Sequence, residues 1–137
     1  MWKYYALLSA FFAALTAILA KVGIKGISGN VAVAVRTVVV LFMAWGIVFL
    51  SGQLKEVKEL SKTNLLFLLL SGLATGLSWI FYFKALETGN VSKVAPIDKL
   101  SVVFVMILSF FFLKESMDIK TIIGGVLIAI GAIVLAV

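Results

Sequence analysis

A few charged side chains lie inside long apolar segments, where charge is costly. Arg36 and Asp98 lie about 8 Å and about 6 Å into two such segments if these are helices rising 1.5 Å per residue. A charge at this depth costs several kcal/mol unless it is paired, hydrated or able to reach the surface. The two positions predict either a structural ion pair or a polar vestibule that meets a substrate or a proton.

An ion pair between Arg36 and Asp98 is the first expectation, because both lie near the same side at similar depth. A guanidinium binds a carboxylate with two parallel hydrogen bonds and does not lose its proton. Lys99 can extend its ammonium to the interface, whereas the short Asp98 side chain cannot. The purely structural alternative stays open. Pro96 fits the first turn of a helix, and Asp98 suits the positive end of the helix dipole.

The functional interpretation rests on further groups at the same side. Lys84 and Glu87 close the third apolar segment there, and Trp79 could line a cavity and face an organic substrate. The candidates for contact with substrate or a coupling ion are therefore Arg36, Trp79, Lys84, Glu87, Asp98 and Lys99.

The composition excludes most other kinds of site. Of the 137 residues, 64% are hydrophobic and 13% charged, whereas soluble domains are about 45–50% apolar and about 25% charged. The chain therefore reads as an integral membrane protein. Histidine and cysteine are absent, so imidazole bases, thiolates and the usual zinc sites are excluded, and we expect no enzyme, metal or cofactor. The net charge of +6 sits on lysines between apolar runs, which favours lipid headgroups over nucleic acid as the partner.

Five apolar segments have the length of membrane-spanning helices, which is about 17–25 residues. They predict one transmembrane domain over residues 1–137, an all-α bundle of five helices at 4–20, 31–50, 65–83, 94–113 and 119–137. The first also resembles a signal peptide, but we expect it to be retained as a transmembrane helix. The connections at 21–30 and 84–93 contain Gly-Asn pairs that favour chain reversal. Leu54, Val57 and Leu60 predict a short amphipathic helix at the interface; a solvated loop is the alternative.

The lysines and the arginine give little preference for one orientation. Six lie on the side of the amino terminus: Lys3, Lys55, Lys58, Lys62, Lys114 and Lys120. Four lie on the other side, and two within the spans bring that side to six: Lys21, Lys25, Lys84 and Lys93, with Arg36 and Lys99. Orientation normally follows a clear imbalance. Either the chain inserts both ways and opposite copies pair, or a weak bias fixes the amino terminus inside.

Small residues at helical spacing predict close helix packing in lipid. Gly72 and Gly76 form a GxxxG pair in the third span. The last span carries the other candidates for helix packing or dimer contacts: Gly124, Gly125, Ala129, Gly131 and Ala132, with Ala136 continuing the stripe. Packing within one chain and dimerisation through the last helix are both open.

The stretch FYFKALETGNVSKVAPIDKLSVVFVMILSFFFLKES and its glycine-rich closing helix resemble the second half of the repeat of the drug/metabolite transporter superfamily, EamA type. The matching features are an aromatic-rich helix ending at Leu86, a helix with Pro96 near its start, an exit at Glu115 and the glycines of the last span. Arg36 falls where the repeat often has an arginine. The resemblance covers essentially the whole chain. The chain matches a single repeat, and so it is similar to a half-size, five-helix bacterial or archaeal branch of the family.

This resemblance implies a transporter that moves a small polar or amphiphilic metabolite or drug by alternating access. Small multidrug resistance proteins, four-helix relatives, work as antiparallel homodimers and carry a glutamate in their first helix. The first span here has no acid, so Asp98 and Glu87 are the nearest candidates for proton coupling. The expected setting is the inner (cytoplasmic) cell membrane, crossed several times, with lipids, a small-molecule substrate and a second copy as partners. A lipid-linked substrate flippase or an accessory membrane subunit is the alternative.

Overall fold

The computed structural model describes residues 1–137, which are 84% helical and contain no strand. Five helical segments are long and apolar enough to cross a membrane: Trp2–Gly23, Gly29–Leu50, Lys62–Thr88, Val91–Leu113 and Ile119–Ala136. The predicted all-α membrane protein with five spanning helices is confirmed. Most spans extend beyond the predicted ends, because the helices continue into polar residues such as Lys62 and Thr88.

The helices are numbered along the chain. They are α1 (Trp2–Gly23), α2 (Gly29–Leu50), α3 (Leu54–Lys58), α4 (Lys62–Thr88), α5 (Val91–Asp98), α6 (Ser101–Leu108), a π-helical segment (Ser109–Leu113) and α7 (Ile119–Ala136). Most large apolar side chains are exposed, as expected where lipid rather than water surrounds the chain. The hydrophobic residues that are buried are few: Ala17, Ile24, Val33, Phe83, Leu86 and Ala132.

The chain divides into two compact units. We call residues Leu19–Glu87 the α2–α4 unit, and Met1–Ile18 with Thr88–Val137 the α5–α7 unit. The assignment of the whole chain to a single transmembrane domain stays a prediction.

In the α2–α4 unit, the connection before α2 is shorter than predicted. Gly26 turns the chain with φ of 79°, a value open to glycine, and Ser28 caps α2 by accepting a hydrogen bond from the Val31 N–H at 3.4 Å. Gly29 and Asn30 are therefore the first residues of α2 rather than part of the reversal. The second Gly-Asn pair, Gly89 and Asn90, does connect two helices.

The predicted short amphipathic helix forms as α3, a single turn over Leu54–Lys58. Gly52 with φ of 73° ends the reversal after α2, and the next helix begins where the Ser61 hydroxyl accepts from the Asn64 N–H at 3.1 Å. Leu54, Val57 and Leu60 are all about 40% exposed. The placement of α3 at the membrane interface stays a prediction.

In the α5–α7 unit, the predicted helix start at Pro96 is wrong. Helix α5 begins at Val91, so Pro96 is its sixth residue and not part of the first turn. Proline has no N–H and its ring crowds the preceding turn, and the helix ends two residues later at Asp98. The chain tightens there into i→i+3 hydrogen bonds, from Lys99 N–H to Pro96 and from Leu100 N–H to Ile97, both 3.0 Å.

The fourth span is thus α5, α6 and a π-helical turn rather than one regular helix. The π turn ends at Lys114, a non-glycine residue with φ of 54°. Helix α7 begins at the cap Asp118 and packs on α5 and α6. At this contact a Cβ on Gly125 would lie 2.5 Å from the Met106 sulfur, so the glycine permits the close approach.

Candidate functional site

The start of α2 and the end of α4 meet in a close, antiparallel contact. The backbone N–H of Gly29 donates a hydrogen bond to the Glu87 carboxylate. A Cβ on Gly29 would lie 2.7 Å from that carboxylate and 3.2 Å from the Phe83 backbone. The first N–H groups of a helix have no partner within the helix and carry its positive dipole end, so an anion there is stabilising. The Glu87 carboxylate therefore provides a hydrogen-bond acceptor and a favourable negative charge at the start of α2.

The contact continues along one face of each helix. On α4 it follows Glu87, Phe83 and Trp79, which are spaced four residues apart and so share a face. On α2 it follows Gly29 and Arg36, seven residues apart, with the buried Val33 between them. We call this line of contacts the α2–α4 seam. It places one charged side chain, Arg36, against aromatic rings.

The Arg36 guanidinium lies over Trp79, with the central carbon 4.1 Å from the ring centroid, and 5.3 Å from the Phe83 centroid. Cation–π attraction is worth about 0.5–2 kcal/mol, depending on how far the cation is desolvated. The Arg36 Nε is buried and has no hydrogen-bond partner. Buried polar groups are nearly always paired, so this orphaned donor needs an explanation.

A pocket of about 380 Å³ adjoins the Glu87 end of the seam. It is formed by the connection between α1 and α2 together with α4, and its lining is Lys21, Ile24, Lys25, Gly26, Ile27, Ser28 and Glu87. The Lys21 ammonium donates to the carbonyl of Leu86, a residue with no exposed surface. The pocket therefore has two lysines and one carboxylate, and Glu87 belongs to both the pocket and the seam.

The predicted site residues fall into two groups. Arg36, Trp79 and Glu87 lie on the seam, while Lys84 is in α4 but exposed and absent from the pocket lining. Asp98 and Lys99 belong to the α5–α7 unit, where they form a mutual ion pair at 3.8 Å, with the Lys99 side chain 57% and the Asp98 side chain 38% exposed. An exposed pair at this distance contributes little. The predicted Arg36–Asp98 ion pair would require residues of different units and stays a prediction.

Gly29, Phe83 and Lys21 are among the residues of the site that were not predicted. A signal for Phe83 was present, because it follows Trp79 by four residues and so shares its helix face. The Gly-Asn pair predicts a turn at Gly29, although the Ser28 before it is a typical helix cap. Lys21 has no sequence signature as a site residue, because its hydrogen bond goes to a backbone carbonyl distant in sequence.

The small residues behave differently from one another. Gly125 and Ala132 are buried, and Gly125 contacts Met106 within its own unit. A Cβ on Gly72, Gly76, Gly124 or Gly131 would meet no atom within 4 Å, so these four positions are unpacked in the single chain. Their roles in assembly stay a prediction.

Comparison with known proteins agrees with this architecture. The family model described as "EamA-like transporter family" matches residues 1–137. The chain is similar to a protein of a Sinorhizobium species named "Uncharacterized transporter in cobO 3'region", with 48% identity over 136 residues, covering 99% of this chain and 96% of that protein. No solved structure gives a significant match. The match to the family extends over the whole chain and coincides with five membrane-length helices, and the chain belongs to the EamA-like transporter family.

Proposed function

We propose that this protein is a transporter, and not an enzyme, that moves a small polar or amphiphilic metabolite or drug across the inner membrane by alternating access. The observation that carries the proposal is Arg36, a cation inside a membrane-length helix with an unpaired buried nitrogen. Ionisable groups in such segments usually mark a substrate or ion pathway, since they are costly to keep there. Glu87 and Asp98 are the candidate groups for proton coupling.

We propose further that the working unit is an antiparallel homodimer, as in a half-size branch related to small multidrug resistance proteins. Alternating access in many transporters relies on two repeats of inverted topology, and one five-helix chain supplies a single repeat. The balanced lysine distribution supports insertion in both orientations. The unpacked glycines of α4 and α7 support a helix contact between copies.

A lipid-linked substrate is the second candidate, and one observation favours it. Lys21 and Lys25 line the pocket at the Glu87 end of the seam. Lys84 is exposed and lies three residues before Glu87 in the sequence. Cations near the membrane surface attract anionic headgroups. In this case the protein translocates the headgroup of a lipid rather than a soluble metabolite.

Transport can be tested without knowing the substrate in advance. Purified protein is reconstituted into vesicles, and transport currents are recorded after rapid exchange to panels of carboxylates, sugar phosphates, quaternary amines and amino acids. We expect at least one panel to give a saturable current that Arg36→Gln abolishes and Lys58→Gln, an exposed lysine far from the seam, preserves. If no panel gives a current and a fluorescent lipid-linked sugar is translocated instead, the lipid-linked candidate replaces the first.

A further inference from the structure

Arg36 is the only arginine of the chain and offers five N–H donors in a planar fork. Its neighbours on the seam are the faces of Trp79 and Phe83, which attract the cation but accept no conventional hydrogen bond. One of its nitrogens is buried without a partner. The aromatic rings therefore position the guanidinium while its buried Nε remains without a hydrogen-bond partner.

No carboxylate of the α2–α4 unit pairs with this guanidinium. The acidic residues of the unit are Glu56, Glu59 and Glu87, and none forms an ion pair within 4 Å of Arg36. Glu87 lies on the same seam but accepts the Gly29 N–H. Arg36 is thus a preformed cationic fork whose counter-charge is missing from its own unit.

We propose that Arg36 binds an oxyanion, a carboxylate or phosphate group, carried by the transported molecule. A guanidinium matches the geometry of both groups with two parallel charge-assisted hydrogen bonds, which are stronger in a poorly hydrated site. The Trp79 ring holds the fork in one plane, so less conformational freedom is lost on binding. That the bound molecule is transported rests on the proposed function, whereas the binding of an oxyanion at Arg36 does not.

The pocket beside the Glu87 end of the seam favours the same chemistry. The pocket carries Lys21 and Lys25, and its single carboxylate, on Glu87, faces the positive start of α2. Glu87 is followed along the seam by Phe83, one helical turn or about 6 Å closer to Arg36. An anion attracted to the lysines is therefore within about two turns of the guanidinium. A soluble organic anion and a lipid headgroup share this chemistry.

The single arginine allows a test on the unaltered protein. Protein labelled with ¹⁵N-arginine in phosphatidylcholine nanodiscs gives one Nε–Hε resonance, that of Arg36. We expect this resonance to shift saturably, in the millimolar range, with inorganic phosphate or succinate, and to stay in place with sodium chloride at equal ionic strength. Lys58→Gln is the matched control and keeps the shift, whereas Trp79→Leu weakens binding several-fold.

Two further measurements distinguish a soluble anion from a lipid headgroup as the source of the oxyanion, and either of them from Asp98 as the partner of Arg36. A shift on exchange into nanodiscs containing phosphatidylglycerol, with no response to soluble anions, identifies a headgroup as the oxyanion. No response to either source overturns the proposal. It is also overturned if Asp98→Asn moves the resonance and the anions do not, because Asp98 then supplies the missing charge. Binding without transport rejects the proposed function alone, and transport without binding rejects this site alone.

Discussion

Gly29 and Glu87, 58 positions apart, are joined by a hydrogen bond from the backbone N–H of one to the carboxylate of the other. Helices α2 and α4 approach closely at this bond, since a Cβ on Gly29 would lie only 3.2 Å from the Phe83 backbone. This contact defines the end of the seam on which Arg36 lies.

We expect Gly29→Ala to lower the thermal midpoint of the purified protein, and Gly29→Leu to lower it further. Overpacking typically costs about 1–3 kcal/mol, and the alanine belongs at the lower end because the Glu87 side chain can move. Gly46→Ala in the same helix is the control, since its Cβ meets nothing within 4 Å and alanine favours a helix. Equal midpoints for Gly29→Ala and Gly46→Ala would show that the approach is not tight.

Arg36 has no carboxylate partner within the α2–α4 unit, which predicts a gain in stability on its removal. Placing arginine at the centre of a spanning helix costs about 2.5–3.5 kcal/mol on insertion scales. Arg36 lies closer to the start of α2 and so costs less, and stacking on aromatic rings returns about 0.5–2 kcal/mol. We therefore expect Arg36→Met to raise the free energy of unfolding by roughly 1 kcal/mol in denaturant titrations, while it abolishes transport. A loss of stability of several kcal/mol would instead indicate a structural ion pair.

How far the sequence predicts this site depends on the kind of feature. Apolar length and composition predict the five spanning helices, because the membrane thickness fixes their length. The sequence identifies Arg36 from its charge and its depth in an apolar segment, and Trp79 from its aromatic ring near Lys84 in the third span. It does not identify their contact, since that depends on the register between α2 and α4, which the close approach at Gly29 sets. Pro96 was misplaced because its ring is tolerated in a first turn but, here, interrupts a helix that has already begun.

We expect substitutions of the α7 glycines to affect either the stability of the single chain or its assembly, depending on the position. Gly125→Leu would collide with Met106, so we expect a lower thermal midpoint for the isolated chain. A Cβ on Gly124 or Gly131 would meet no atom within 4 Å in the single chain, so we expect Gly124→Leu and Gly131→Leu to leave folding intact and to weaken the dimer. Size-exclusion chromatography with light scattering separates the two effects. Dimers unchanged by both Gly124→Leu and Gly131→Leu would place the copy–copy contact elsewhere.

Asp118, the cap of α7, is expected to make the folded chain less stable at low pH. The Thr121 hydroxyl, and then the Thr121 N–H at 2.9 Å, lower the pKa of this carboxyl below its ordinary value of 3.8. A depressed folded-state pKa gives stability that is present above the unfolded pKa and lost as the pH falls through the folded one. We expect Asp118→Asn to flatten the part of the thermal midpoint profile below about pH 4. The same acid limb in wild type and variant would assign it to other carboxylates.

If oppositely oriented copies of this chain form the transporter, as we propose, each end of the fourth span lies on both sides of the membrane, and cysteine labelling can measure this. The chain has no cysteine, and Ser92 and Ser116 are exposed near opposite ends of the fourth span. Ser92→Cys and Ser116→Cys are close in shape to the originals and leave the charge balance unchanged. A membrane-impermeant maleimide is applied to intact cells and then to permeabilised ones. We predict that each variant is labelled in part from outside and in part only after permeabilisation. Complete outside labelling of one variant, with complete protection of the other, would contradict the antiparallel dimer.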